Sequence, residues 1–129
     1  MSEASKKGGG LAGITAGETA IATVGKEGAG LTYRGFDIYD LAENARFEEV
    51  AYLLHHGHLP TADEYAAYID TLRSMRGLPG PVKTALEQIP GDTHPMDVLR
   101  SGCSLLGNFE PEGDFSNQAR VADRLLAAF

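Results

Sequence analysis

The chain has 129 residues, 43% of them hydrophobic, which suits one domain or a piece of a larger one with a packed core. Its 11 basic residues stand against 18 acidic ones, for a net charge of -7, and they do not cluster, which excludes the electrostatic footprint of a nucleic-acid binder. No apolar run reaches the roughly 18 residues that a membrane-spanning helix needs, and the single cysteine, Cys103, excludes an internal disulfide framework and suits a reducing, cytoplasmic setting.

The first ten residues, Met1 to Gly10, carry lysines with no apolar run behind them, so they do not form a secretory signal. With nothing to bury, residues 1–10 read as a flexible tail. Residues 11–36 are rich in glycine, threonine and β-branched side chains. Thr19 to Val24 suits a short strand, Gly25 to Gly30 a turn-rich connector, and Leu31 to Arg34 a returning strand, which predicts a small β-hairpin.

From residue 37 to 129 the signals are helical. Asp37 can cap a short helix running to about Glu43, with Ile38, Leu41 and Ala42 on one side. Phe47, Val50, Ala51 and Leu54 follow the i, i+3, i+4, i+7 spacing of a buried helical face, and Gly57 ends that helix before Pro60. Thr61-Ala62-Asp63-Glu64 is a capping box, the strongest start signal in the chain. Tyr65, Tyr68, Ile69, Leu72 and Met75 then share a face that reads as core, and Gly77 and Pro79 stop the helix. Val82, Ala85, Leu86 and Ile89 mark a further short helix, ended by Pro90-Gly91.

Pro95 suits the first turn of the next helix, where its missing N–H costs nothing. Met96, Leu99, Cys103 and Leu106 run down one face, so Cys103 is expected to be a buried small hydrophobe rather than a nucleophile. Gly102 costs about 1 kcal/mol of helix propensity relative to alanine, which predicts the close approach of another backbone. Gly107-Asn108 ends this helix, Glu110 to Asp114 is a loop, and Ser116 is the expected cap of the last helix. Ala119, Val121, Ala122, Leu125, Leu126 and Phe129 are its apolar positions. That helix reaches Phe129 with no glycine, asparagine or proline stop and no cationic final turn. The expectation is a truncated chain; the other reading docks the apolar end into its own core or a partner.

Three groups invite a chemical reading. Gly25 to Gly30 fits neither G-x-G-x-x-G nor the phosphate-binding loop of nucleotidases, because Ala20 and Glu27 stand where that loop needs glycine and serine or threonine; turns explain the glycines. His55, His56 and His58 sit together at a helix C-terminus, where three imidazoles could bind a metal. The adjacent pair diverges by roughly 100° around the helix, and no cysteine or carboxylate completes a ligand set, so their expected role is structural, at the negative end of the helix dipole. His94 could serve as a general base. It has no nucleophile or orienting carboxylate beside it, and Asp92 and Asp97 suit a helix start, so helix capping is the expectation. The residues by themselves thus predict a mostly helical piece with no assembled catalytic constellation, no metal site and no assignable cofactor site.

Longer strings carry more. Gly30 to Ala42, GLTYRGFDIYDLA, resembles the L-x-Y-R-G-Y-D-I-x-D-L-A segment of citrate synthases. Phe47 to Thr61 resembles the segment that follows it. His94 to Gly107 resembles the family's H-P-M-D-x-x-R-x-x-x-S-x-L helix, and the likeness runs in order from about residue 11 to 129. Thr23-Val24-Gly25-Lys26 and Arg76-Gly77-Leu78-Pro79 are most similar to the 2-methylcitrate synthases within that family.

The resemblance implies a mainly α fold, the N-terminal part of the large helical domain. Residues 1–10 would be the tail, 11–36 the β-hairpin segment, and 37–129 the helical part, cut off at its C-terminal side. It implies an enzyme of propionate catabolism or the tricarboxylic acid cycle that condenses propionyl-CoA with oxaloacetate to 2-methylcitrate and CoA. In that chemistry an aspartate takes the α-proton, one histidine stabilises the enolate and a second activates the carbonyl of oxaloacetate. All three lie beyond the matching stretch, so no catalytic residue is carried over. The motif residues Tyr33, Arg34, Gly35, His94, Pro95, Met96 and Arg100 are implied to be structural. Acyl-CoA is implied as a substrate, not a bound cofactor, and the helices at about 94–107 and 116–129 as a homodimer contact. The alternatives are a citrate synthase using acetyl-CoA and, in a different class, a non-catalytic helical module that binds a partner.

Overall fold

The computed structural model describes residues 17–25 and 30–129. The expected tail over residues 1–10, the start of the hairpin segment at 11–16 and the connector at 26–29 lie outside the described residues. The described chain is mainly helical with one small antiparallel sheet.

Strands β1 (Ala22–Val24), β2 (Leu31–Tyr33) and β3 (Phe36–Asp37) lie in that order in the sheet. Ala22 pairs with Tyr33 and Val24 with Leu31, which is the expected hairpin. The third strand was not expected. It forms because Arg34 and Gly35 make a two-residue turn with φ of 50° and 89°, so that Tyr33 pairs with Phe36. Positive φ at both central positions matches the right-handed twist of the strands. Gly35 adopts it freely, whereas Arg34 carries a steric cost of about 1 kcal/mol.

Helix α1 (Ile38–Asn44) follows without a break, its start set by Asp37, whose carboxylate accepts from the backbone N–H of Tyr39 at 2.8 Å. Helix α2 (Phe47–His56) ends at Gly57, whose φ of 88° and N–H bond to the Leu53 carbonyl close the last turn. Helix α3 (Ala62–Ser74) begins on the expected capping box. Glu64 N–H donates to the Thr61 hydroxyl at 3.3 Å, and Thr61 N–H donates to the Glu64 carboxylate at 2.8 Å. Helix α4 (Gly80–Glu87) carries Pro81 in its first turn. Helix α5 (Pro95–Phe109), a short 3₁₀ turn (Phe115–Asn117) and helix α6 (Gln118–Ala128) complete the described chain.

The core is small. Leu53 and Val82 are fully buried, and Tyr52, Tyr68 and Leu72 form a cluster against Leu126 and Ala127 of α6. Contacts between α2 and α3, α3 and α6, and α4 and α5 build the helical layer.

Five sequence expectations are corrected here. On α2 the buried residues are Ala51, Tyr52 and Leu53, whereas Phe47 is 70% exposed and Val50 and Leu54 are half-buried. Three consecutive positions span about 200° of arc, so α2 is covered from two sides instead of along one stripe. On α5 the expected buried face is open. Cys103 is exposed, Met96 and Leu99 are 63% and 40% exposed, and only Gly102 and Leu106 are buried. Spacing located the apolar side of that helix, but no described element packs over most of it. Gly102 meets side chains instead of a backbone, since a Cβ there would lie 3.2 Å from the Phe129 ring and 3.4 Å from Leu86. Helix α5 continues past Gly107-Asn108 to Phe109, because α-helical hydrogen bonding tolerates glycine at a small propensity cost. Ser116 does not cap the last helix. Asp114 caps the 3₁₀ turn, its carboxylate accepting from Ser116 N–H at 2.9 Å, and α6 grows out of that turn.

Candidate functional site

Three constructions hold the elements in place. The first is Arg34. Its positive-φ turn aims the guanidinium at α2, where it donates to the Leu54 carbonyl at 2.9 Å. That carbonyl lies in the last helical turn, where no later amide is available to it. A cation there also faces the negative end of the helix dipole. Arg34 therefore straps the sheet to the C-terminal end of α2.

The second is an aromatic junction where α2, α3 and α6 meet. The Tyr52 and His56 rings stack at 4.0 Å between centroids, and Tyr68 meets Tyr52 edge-on at 5.2 Å. Tyr68 hydroxyl donates to the Asp123 carboxylate of α6 at 3.0 Å, and His55 Nδ1 lies 3.5 Å from the same oxygen. Burial first, then the hydrogen bond to Asp123 and after it the Asp123 charge, push the Tyr68 phenol above its ordinary value, so it stays a proton donor to that carboxylate. His58 Nε2 stands 3.4 Å from Glu64. The polar contacts of His55 and His58 thus go to different carboxylates, while His56 stacks on Tyr52.

The third is Arg124 of α6. Its Nε and one terminal nitrogen grip both oxygens of Glu110 at 2.7 and 2.9 Å. The guanidinium also donates to the carbonyls of Met75 at 2.6 Å and Gly77 at 2.8 Å, beyond the end of α3. The paired guanidinium holds Glu110 below the usual carboxylate range, and Glu110 in turn raises Arg124. A cleft of about 640 Å³ opens beside this clamp, bordered by Met75, Cys103, Leu106, Asn117, Arg120 and Leu125. Its best-placed charges, those of Arg124 and Glu110, already satisfy each other.

The motif residues fall into two separate groups. Tyr33, Arg34 and Gly35 lie in the sheet turn. At the start of α5, His94 Nδ1 accepts from Met96 N–H at 3.2 Å, Pro95 is the first helical residue, and Arg100 pairs with Asp97 at 3.0 Å on an exposed face. No hydrogen bond or ion pair among the described residues joins the two groups. Among those residues no three His, Cys, Asp or Glu side chains converge as a metal would require. Sequence reasoning missed Asp123, Arg124 and Glu110. Each is an ordinary polar residue locally, and the tie of Tyr68 to Asp123 crosses 55 positions.

The same arrangement of helices recurs in solved structures. The citrate synthase of Thermotoga maritima superimposes with a TM-score of 0.76 at 28% identity, covering 93% of this chain and 31% of that one. The citrate synthase of Pyrobaculum aerophilum gives 0.78 at 26% identity, covering 92% and 32%. The family model described as citrate synthase, C-terminal domain, matches residues 10–129, and the chain belongs to the citrate synthase family.

Among curated relatives, a 2-methylcitrate synthase of Shewanella oneidensis is 62% identical over the whole chain. A 2-methylcitrate synthase of Corynebacterium glutamicum is 41% identical over 92% of it, and a citrate synthase of Mycolicibacterium smegmatis 44% identical over 81%. These alignments take in 35%, 32% and 28% of the relatives' lengths, so the chain spans about a third of each.

Proposed function

We propose that this chain is part of a 2-methylcitrate synthase, in which it supplies the leading helices of the large domain. The observation that carries the reading is the 62% identity to the Shewanella enzyme along the full chain, against 41–44% to the other relatives named above. The parent enzyme condenses propionyl-CoA with oxaloacetate, acts in the cytoplasm in propionate catabolism, and carries its aspartate and two histidines outside these 129 residues. The described residues supply scaffold: the Arg34 strap, the Asp123 junction and the Arg124 clamp set the relative positions of the sheet, α2, α3 and α6. Residues 37–129 form the helical part of the domain and residues 11–36 its hairpin segment. Tyr33, Arg34, Gly35, His94, Pro95, Met96 and Arg100 shape turns and helix starts and touch no substrate.

The parent is a homodimer, and α5 and α6 contribute to the contact. Support comes from the apolar positions Met96, Leu99 and Phe129, which this chain leaves open.

The test is CoA release by the full-length protein given oxaloacetate with either propionyl-CoA or acetyl-CoA. Faster turnover of propionyl-CoA is expected. Faster turnover of acetyl-CoA would make the parent a citrate synthase, and no release from either would favour a helical binding module. The isolated 129-residue chain should release none.

A further inference from the structure

We draw no further inference here: the strongest candidate, the open apolar face of α5 and α6 around Met96, Leu99, Cys103, Leu125 and Phe129, is the surface already given to the proposed dimer contact, and nothing in the structure shows what else covers it.

Discussion

Arg124 reaches Glu110 and two main-chain carbonyls from one side chain that is only 15% exposed. A lysine cannot reproduce the planar fork. Arg124→Ala should lower unfolding free energy by about 2 kcal/mol, within the range for hydrogen bonds to a charged group. The value stays below that of a fully buried pair because the Glu110 side chain is 38% exposed. Arg124→Lys should recover less than half of the loss; urea denaturation of the two variants checks both. Gly102 gives a size test. Ala there gains helix propensity of about 1 kcal/mol but presses the Phe129 ring at 3.2 Å, and that ring is 45% exposed and can yield. Gly102→Ala should therefore be near neutral by thermal melting. Gly102→Leu, which must also displace Leu86, should cost about 1–3 kcal/mol.

At the scale of elements, caps were the most legible features. Asp37, Gly57 and the Thr61–Glu64 box stand where the sequence places them, because a cap depends on residues within one turn of each other. Thr61→Ala should cost about 1 kcal/mol. The Thr61 main-chain N–H first, then its hydroxyl and His58, hold the Glu64 carboxyl at about 2, from an ordinary value of 4.5. A depressed carboxyl stabilises the folded state above its unfolded value and loses that contribution as pH falls through its folded value. The contribution of Glu64 is thus complete above about pH 4.5 and fades towards pH 2. Glu64→Gln should flatten the acid side of the stability–pH curve in that window and leave its slope near neutrality unchanged. The third strand and the 3₁₀ turn were less legible. One depends on a non-glycine residue at positive φ, the other on a cap two residues earlier than the one expected.

For the molecule as a whole, the open side of α5 makes a solution prediction. The chain should associate as its concentration rises through the micromolar range, and Leu99→Glu should suppress this in sedimentation velocity. Monomers at every concentration for the unsubstituted chain would remove the dimer contact proposed for α5 and α6. The sequence by itself determined the helical class, the starts of α1, α3 and α5 and the family likeness, because these rest on short-range hydrogen bonds, periodicity and strings of residues read in order. The structure alone decided that Arg34 ties the sheet to α2, that Asp123 receives Tyr68 and that Arg124 locks α6 to the end of α3. It also decided which side of α5 stays open. Periodicity marks the apolar side of a helix, but burial depends on whether another element, distant in the chain, comes to lie against it.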